Sequence, residues 1–287
     1  MTDATGLLAW SRESLRDLPW RRTRDSWLVL VSETMLQQTQ VSRVQPRFEQ
    51  FVERFPTVTA CADAGAAAVI ELWEGLGHNL RAVNLHAAAV ACVERHGGQV
   101  PDRLAELLAL PGVGPYTARA VLAFAFEQDV GVVDTNVGRV LARAYAGRPL
   151  GGRDAQVLAD ELVPTGEAWR WNQALMELGA VLCRKRAPQC EACPMVGSCA
   201  WAVAGRPEPD PAVGSAAVSG RQSRFDGSDR QGRGRLVAAL RRGPVPVAEL
   251  ADVMGWPGDP GRVQQVAKSV VDDGLAVRSN GRLALPG

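Results

Sequence analysis

The stretch "PDRLAELLALPGVGPYTARAVLAFAF", residues 101–126, contains two helical patterns joined by the short segment LPGVG. In that segment Gly112 and Gly114 flank the apolar Val113, and two glycines allow a tight turn between helices. The N–H groups of such a turn, and the N-terminus of the helix that follows, can face a phosphate. The pattern therefore predicts a helix-hairpin-helix that holds the DNA backbone without reading base sequence. An ordinary connection between two helices is the alternative.

Length and composition limit the classes of protein that the chain can represent. Its 287 residues are enough for two or three compact domains. The sequence has no apolar run of about twenty residues, which argues against membrane insertion. The N-terminal segment lacks the basic and then apolar pattern of a signal peptide, so we expect a cytoplasmic protein. A net charge of +1 gives no general attraction to polyanions, and nucleic-acid binding would depend on local features such as "RRTR" (21–24) and "RKR" (184–186).

The helical patterning changes along the chain. Residues 1–202 show amphipathic helical periodicity without alternating strand patterns, which predicts an all-α main body. Residues 203–231 are rich in Pro, Gly, Ser and charge, which is typical of a linker. Residues 232–287 show three helical patterns and then "LAVRSNGRLAL", two short strands around an Asn-Gly turn. This last region is predicted to form a small winged-helix-like module.

Four of the six cysteines lie close together in the sequence. Cys183, Cys190, Cys193 and Cys199 have the spacing C-x6-C-x2-C-x5-C. In a reducing cytoplasm, clustered cysteines are more often metal ligands than disulfides. Four thiolates can hold either a tetrahedral zinc ion or a [4Fe–4S] cluster, and the ligand count leaves both open. The two others, Cys61 and Cys92, lie in Ala-rich helical sequence and are interpreted as small buried hydrophobic residues.

Two carboxylates lie in apolar surroundings. Glu33 stands in "WLVLVSETML", where desolvation is expected to raise its pKa, as a general acid requires. Asp134 stands in "VGVVDTNVGRV", where Thr135 and Asn136 could donate hydrogen bonds and keep it charged. Cleavage of a glycosidic bond needs both, because the leaving group takes up a proton while the sugar becomes cationic. A buried helix cap or salt bridge is the alternative role for each.

With these residues in one order, the chain resembles the MutY-type adenine DNA glycosylases of the helix-hairpin-helix endonuclease III superfamily. The resemblance covers roughly residues 7–202. It rests on the four clustered cysteines and on the motifs "LPWRRTRD", "SETMLQQTQV", "FPTV", "WEGLGHNLRAVNLH", "LPGVGPYTA", "VVDTNVGRVLAR" and "NQALMELGA". It implies two α-helical domains with a DNA-binding cleft between them. One would be a six-helix domain of residues 23–129, and the other a cluster domain of residues 1–22 and 130–202.

The resemblance also implies catalytic roles. Glu33 would protonate the adenine, Asp134 would stabilise or trap the sugar cation, and Tyr116 and Asn136 would support them. Superfamily members that cut the DNA backbone have lysine at the position of Tyr116, where it forms an imine with the opened sugar. A phenol does not form an imine, so a monofunctional enzyme is expected. The four clustered cysteines would hold a [4Fe–4S] cluster that orders the basic loop at residues 184–186 and takes no part in bond cleavage.

The target nucleotide must leave the duplex before its glycosidic bond is accessible. By the same resemblance one group of residues would surround the extruded adenine and a second group would meet the opposite strand. The first group is Arg16, Leu18, Trp20 and Glu177, and the second is Gln37, Gln38 and His78. Relatives typically have "GLGYY" where this chain has "GLGHN", so His78 replaces a tyrosine. Many also carry a Nudix-like domain that recognises 8-oxoguanine, for which residues 232–287 are too short.

We therefore expect a monomeric base-excision glycosylase of the bacterial cytosol or nucleoid. It would hydrolyse the bond to adenine mispaired with 8-oxoguanine or guanine in double-stranded DNA. A thymine or uracil mismatch glycosylase of the same fold is the second hypothesis, which the replacement at His78 favours. A catalytically silent DNA-binding or redox-sensing iron–sulfur protein is the third, and the joint presence of Glu33, Asp134 and Tyr116 argues against it.

Overall fold

A computed structural model describes residues 4–215 and 224–287, and it confirms the all-α character of the main body. Among the described residues, every β-strand lies beyond residue 244, and no helix is long and apolar enough to cross a membrane. Short 3-10 turns occur at Pro19–Arg21, Cys190–Ala192 and Val247–Glu249, and a π-helical turn at Leu141–Ala146. The α-helices are α1 Ala4–Ser14, α2 Ser26–Leu36, α3 Val41–Arg54, α4 Val58–Asp63, α5 Gly65–Leu72, α6 Leu80–His96, α7 Leu104–Leu108, α8 Pro115–Phe124, α9 Thr135–Val140, α10 Gly152–Leu162, α11 Ala168–Val181, α12 Ala200–Val203, α13 Asp229–Leu240, α14 Leu250–Met254 and α15 Pro260–Asp272.

The described residues divide into two compact units. The first unit contains residues 4–26 and 114–215, and the second contains residues 27–113 and 224–287. Helix α8 therefore belongs to the first unit, although the sequence assigned it to the six-helix domain. Arg119 of this helix forms a 2.6 Å salt bridge with Asp160 on α10, which also belongs to the first unit. The predicted domain boundaries themselves stay predictions.

The core of the first unit is built on α1, α9 and α11. Leu7, Val137 and Trp171 are each no more than 1% exposed in this cluster. The backbones of α9 and α11 come unusually close at Gly179, where an added Cβ would lie 2.7 Å from the backbone oxygen of Asn136. Only glycine permits this approach, so α11 is held directly against the start of α9.

The core of the second unit packs aromatic residues around α2. The indole N–H of Trp27 donates a 3.0 Å hydrogen bond to the backbone oxygen of Phe55. Phe51 contacts both Phe55 and Trp73 edge-on, with ring centroids 5.0 and 6.2 Å apart. Because Trp73 immediately precedes the "EGLGHN" turn, this packing fixes one end of that turn.

The C-terminal region contains α13, α14 and α15 with a three-stranded antiparallel sheet. Its strands are β1 Val245–Pro246, β2 Val277–Ser279 and β3 Arg282–Ala284, in the order β1-β3-β2. The predicted hairpin is confirmed, since β2 pairs with β3 and Asn280 and Gly281 take left-handed φ angles of 48° and 72°. Strand β1 was not predicted, because two residues are too few to show alternation.

The predicted linker differs from the structure in both of its described parts, residues 203–215 and 224–231. Asp210 accepts a 2.8 Å hydrogen bond from the buried Arg143, and the hydroxyl of Ser215 accepts one of 3.2 Å from the backbone N–H of Leu150. These bonds from Arg143 and Leu150 anchor residues 210–215 to the first unit despite the polar composition of the segment. Helix α13 already begins at Asp229. Residues 216–223 of the predicted linker lie outside the described residues.

Candidate active site

Asp134 is the N-cap of α9, and its carboxylate accepts three hydrogen bonds. Oδ1 accepts from the backbone N–H groups of Asn136 and Val137 at 2.8 and 2.7 Å. Oδ2 accepts from the side-chain amide of Asn136 at 2.8 Å. The structure thus brings the predicted residues Asp134 and Asn136 together. The two backbone donors belong to the buried helix cap that the sequence left as the alternative role of Asp134, and they exist because Asp134 ends an extended segment where α9 starts.

The pKa of Asp134 lies above its ordinary value. Burial of the carboxyl raises its pKa, and the hydrogen bonds from Val137 and Asn136 and the charge of Arg139 oppose this without outweighing it. Arg139 makes no direct ion pair here. Its guanidinium donates instead to Asn136 Oδ1 at 2.8 Å and to the Gly179 carbonyl at 2.7 Å. The donors that the sequence predicted at Asn136 are present, but they do not outweigh desolvation of the anion, so the pKa of Asp134 is raised rather than lowered. That Asp134 is charged during the reaction stays a prediction.

Glu33 lies in α2 of the second unit and is 5% exposed, so its predicted burial is confirmed. The hydroxyls of the two adjacent residues donate to backbone carbonyls of α2. Ser32 donates to the carbonyl of Val29 at 2.9 Å, and Thr34 donates to that of Leu30 at 2.8 Å. The raised pKa of Glu33, its role as an acid, and its sharing of one pocket with Asp134 stay predictions.

Glu177 on α11 is fully buried and is bound by two arginines. Arg16 Nε donates to Oε1 at 2.6 Å, and Arg21 Nη2 donates to Oε2 at 2.8 Å. Arg21 also donates to Gln173 Oε1 at 2.7 Å and to the Arg16 carbonyl at 3.0 Å. Burial alone would raise the pKa of Glu177, but the hydrogen bonds and charges of the two arginines hold it below its ordinary value.

Leu18 and Trp20, the other residues predicted around the target base, are buried at 6% and 7% exposure. Trp20 lies in the 3-10 turn Pro19–Arg21, where the N–H of Arg21 donates to the Leu18 carbonyl at 2.9 Å. This turn directs Arg21 toward Glu177. The structure therefore places Arg16 and Glu177 in direct contact, as expected of residues that surround the same base. It also shows Arg21 bonded to Glu177, which was not predicted.

Arg81 connects two loops of the second unit. It is 8% exposed, and Nη1 donates to the carbonyls of Thr34, Met35 and Gln37 at 2.8, 2.9 and 2.6 Å. Nη2 donates to the carbonyls of Leu76 and Gly77, both at 3.1 Å. Burial lowers the pKa of Arg81 to about 10. One guanidinium thus ties the end of α2, with Gln37, to the "GLGHN" turn.

The two loops that Arg81 joins present their predicted residues in unusual backbone conformations. Gln38 and His78 are exposed and have left-handed φ angles of 55° and 44°. Residues other than glycine seldom adopt this conformation, and where they do they concentrate at functional sites. Gln37 is partly buried. The structure therefore brings Gln37 and the turn containing His78 to one guanidinium.

The glycine turn of the first motif has the predicted form. Gly112 has a φ angle of 73°, and an added Cβ would lie 2.6 Å from Cβ of Asn84 on α6. The N–H of Val113 donates to the Leu110 carbonyl at 3.2 Å. Gly114 caps α8, whose N-terminus has no side-chain cap, and Pro115 follows it. Tyr116 lies in the first turn of α8 and is partly buried.

The four clustered cysteines line one pocket of the first unit. Arg143, 1% exposed, donates to Cys183 Sγ at 3.4 Å and to the carbonyl of Arg184 at 2.8 Å. Within residues 4–215 and 224–287, no three Cys, His, Asp or Glu side chains form a group that could hold a metal ion as arranged. The thiols therefore share a pocket without forming a closed site. Cys61 and Cys92 are fully buried, as predicted, and burial raises their pKa values to about 12 and 11.

Comparison with known proteins agrees with this arrangement. Residues 31–163 match the model of a family described as HhH-GPD superfamily base excision DNA repair protein. The adenine DNA glycosylase of Mycolicibacterium smegmatis is 43% identical over 286 residues, which cover 98% of this chain and 95% of the relative. The chain belongs to the adenine DNA glycosylase family. The Mycobacterium tuberculosis (strain H37Rv) member is 45% identical over 294 residues, covering 99% of this chain and 93% of its own.

A solved structure of a thermostable thymine-DNA glycosylase has a related fold. It superposes with a TM-score of 0.64 at 29% sequence identity, over 70% of this chain and 94% of its own. This adenine DNA glycosylase family member thus shares its helical architecture with an enzyme named for a different base. Fold similarity alone does not select the base, and the side chains around the site must do so.

Three residues of this family member were missed by sequence reasoning. Arg21 and Gln173 surround Glu177, and Arg81 joins the two loops. Gln173 and Glu177 are four residues apart and so share one face of α11, a spacing visible in the sequence. Arg81 follows His78 by three residues and interrupts an apolar helix face. Each lies inside a motif that had already been singled out.

Proposed function

We propose that this DNA glycosylase removes adenine paired with 8-oxoguanine or guanine in double-stranded DNA and leaves an abasic site. The observation that carries the proposal is identity of 43–45% over nearly the whole chain to two adenine DNA glycosylases. Because those alignments include the C-terminal region, the proposal applies to the whole chain. The enzyme acts on the N-glycosyl bond of DNA and belongs to base excision repair.

Asp134 is proposed to stabilise the sugar as positive charge develops on it. The three N–H donors hold the carboxylate in position before the reaction, so that no reorganisation is needed. A carboxylate in a weakly polar environment interacts more strongly with a nearby cation than it would in water. Its raised pKa agrees with this role, since the anion lacks a directly bonded cation until the sugar supplies one.

Glu33 is proposed to protonate the adenine ring, which makes the base a better leaving group. Its 5% exposure favours this, because a buried carboxyl tends to retain its proton. Tyr116 and Asn136 are proposed to support the two acids. Since the phenol of Tyr116 does not form an imine with the sugar, the product is an abasic site without a strand break.

The base specificity is proposed to reside in Glu177 and the residues around it. Each oxygen of a carboxylate has two acceptor positions, so Glu177 can accept from Arg16 and Arg21 and also from an exocyclic amino group. Adenine carries such a group and thymine does not. Thymine has a carbonyl oxygen in place of the amino group, and a carbonyl oxygen facing the carboxylate sets two acceptors against each other, which disfavours thymine. Leu18 and Trp20 would contact the apolar faces of the purine.

The four clustered cysteines are proposed to hold a [4Fe–4S] cluster rather than zinc. Tetrahedral zinc at about 2.3 Å from each sulfur would draw the sulfurs to within about 3.8 Å of one another. A pocket lined by four thiols, without a closed ligand group, suits a larger cluster better. The cluster would have a structural role, ordering the exposed loop of Arg184, Lys185 and Arg186 for phosphate contact. Iron and sulfide analysis of purified protein tests this, and stoichiometric zinc instead would contradict it.

The remaining predictions concern organisation and location. The C-terminal order of helix, strand, two helices and hairpin supports a winged-helix-like module at residues 232–287. Gly112, Val113 and Gly114 are proposed to contact the DNA backbone, because the uncapped N-terminus of α8 carries partial positive charge. We also propose a monomer located in the cytosol or nucleoid.

A panel of duplexes tests the proposed function. Duplexes with A opposite 8-oxoguanine, A opposite G, T opposite G and U opposite G are incubated with the protein, and half of each sample is treated with alkali. An A opposite T duplex is the control. We expect cleavage of the adenine strand only after alkali.

Cleavage confined to the T or U strand would establish the second candidate, a thymine or uracil mismatch glycosylase. His78 in place of tyrosine and the similarity to a thymine-DNA glycosylase structure favour that candidate. Cleavage of the adenine strand before alkali treatment would instead contradict the monofunctional mechanism.

A further inference from the structure

The C-terminal module belongs to the same compact unit as the "GLGHN" turn and is bonded to it. Arg241, the C-cap of α13, donates from Nε to the Ile70 carbonyl at 3.0 Å and from Nη2 to Asn79 Oδ1 at 3.1 Å. At the end of α15, a Cβ added to Gly274 would contact Cγ1 of Val83 on α6 at 3.4 Å. The module is therefore anchored beside the residue that follows His78.

An aromatic ring is exposed at the entry to this module. Phe225 is 55% exposed and is the only aromatic side chain among the largely exposed, large apolar residues of the described chain. Burying such a ring would stabilise the fold, so its exposure is unfavourable for the protein alone. The guanidinium of Arg230 lies 5.9 Å from the centre of the ring.

Arg230 also lies near the "GLGHN" turn. Partial desolvation of the ring lowers the pKa of His78, and the positive charges of Arg81 and Arg230 lower it further. Arg230 thus lies beside the Phe225 ring and within electrostatic range of the His78 imidazole, and His78 and Phe225 are both exposed. An aromatic face beside a cation is the chemistry that binds unstacked bases and their phosphates.

The strand that meets this surface follows from where the other groups lie. Phe225, Arg230 and His78 are in the second unit, where Arg81 joins the His78 turn to the loop of Gln37. Gln37 and His78 are the residues proposed to meet the strand opposite the target adenine. Extrusion of adenine leaves a base on the opposite strand without its partner, and such a base is free to stack on a side chain.

We propose that Phe225 and Arg230 form, with His78, a contact surface for the DNA strand opposite the target adenine. Phe225 stacks on a base of that strand, and Arg230 neutralises a phosphate beside it. This inference rests on the proposed function, since it takes the target strand to be the one that carries the adenine. It gives the C-terminal module a part in recognising the mismatch.

Binding of the full-length protein tests the surface. The duplex carries a stable abasic analogue opposite 8-oxoguanine, so that no base is released during the measurement. Phe225→Ala should raise Kd about tenfold, the range found for losing one base–aromatic stack. Arg230→Ala should lower the slope of log K against log salt by about one, and Arg230→Lys should restore it. Val157→Ala, which removes a 51% exposed apolar side chain on α10 of the first unit, is the control and should leave Kd unchanged.

Removing single bases from the opposite strand identifies the contact. If Phe225 stacks on one base, deleting that base should weaken the parent about tenfold and leave Phe225→Ala unaffected. The base opposite the target and its two neighbours are deleted in turn. Variants that bind every duplex within twofold of the parent, or a Phe225→Ala loss that no single deletion abolishes, would overturn the proposal. A parent that releases no adenine overturns the proposed function instead, because these binding results do not depend on base release.

Discussion

Asp134 and Glu177 are carboxylates of the same compact unit, yet their surroundings shift their pKa values in opposite directions. Glu177 is bonded to two arginines, which hold its pKa low. Asp134 is bonded only to N–H groups, and burial raises its pKa. The difference shows that hydrogen bonds without a directly bonded cation do not compensate for desolvation here. The anion of Glu177 stabilises the fold, whereas an anion at Asp134 is unfavourable for it.

The two pKa shifts have opposite consequences for stability against pH. Glu177 stabilises the fold above its unfolded pKa of about 4.3, and this contribution is lost as the pH falls through the lower folded value. Asp134 favours the fold when protonated, below about 3.9, and this contribution is lost as the pH rises through its raised folded value. At neutral pH the Asp134 anion is therefore unfavourable for folding. Retaining such a group is understandable if the anion serves the reaction.

The largest effect is expected for Glu33→Gln, which extends the comparison to the second proposed acid. Glutamine keeps the size of the buried side chain but has no proton to donate to the base. We expect the single-turnover rate of adenine release to fall about a thousandfold, within the range known for general acids. Glu49→Gln on the exposed face of α3 is the control and should keep the parent rate. Parent-like release by Glu33→Gln would show that another group protonates the base.

Glu177→Gln tests the stabilising side of the comparison. The substitution leaves Arg16 and Arg21 beside a neutral amide, and losing one partner of a buried ion pair costs about 3 kcal/mol or more. Arg16 is half exposed, so we expect about 3 kcal/mol from urea unfolding at pH 7. Asp17→Asn, which removes a surface ion pair with Arg22, should cause no measurable loss. The gap between parent and Glu177→Gln should shrink as the pH falls through the folded pKa, and a pH-independent gap would contradict the assignment.

Arg81→Lys tests a buried cation that donates its hydrogen bonds to carbonyls and a hydroxyl rather than to a carboxylate. An ammonium has three donors and cannot reach all the carbonyls that the guanidinium joins. Unsatisfied buried acceptors cost about 1–3 kcal/mol, and we expect about 2 kcal/mol in unfolding free energy. Binding of mismatched duplex should weaken as well, because Gln37 and the His78 turn lose their common anchor. Arg43→Lys on the exposed face of α3 is the control, and equal behaviour of the two variants would refute this role.

The smallest stability effect is expected for Asp134→Asn. The amide oxygen can still accept from the N–H groups of Asn136 and Val137, and the unfavourable buried charge is removed. Its own N–H2 group then faces the amide of Asn136, which offsets part of the gain. We expect the unfolding free energy at pH 7 to stay within about 1 kcal/mol of the parent, in contrast to Glu177→Gln.

Features set by neighbouring residues were predictable from the sequence. The glycine turn around Val113, the Asn280–Gly281 hairpin and the pairing of Asp134 with Asn136 each depend on residues a few positions apart. Their local chemistry allows few conformations. The identities of the site residues came from motifs rather than from any contact that the sequence reveals.

Features set by distant residues were not predictable. Arg21 meets Glu177 across 156 positions, and Arg143 meets Asp210 across 67. No local pattern indicates these pairs. The direction of the Asp134 pKa was missed for the same reason, since it depends on how deeply packing from other elements buries the carboxyl. Tertiary burial outweighs the neighbours that the sequence displays.

The most direct test of the account is the single-turnover rate of adenine release by Asp134→Asn from a duplex with A opposite 8-oxoguanine. If the anion is retained for its interaction with the cationic sugar, the rate should fall about a thousandfold, comparable to removing a preorganised electrostatic contact. The protein should remain as stable as the parent. A well-folded Asp134→Asn that releases adenine within about threefold of the parent rate would contradict the central claim.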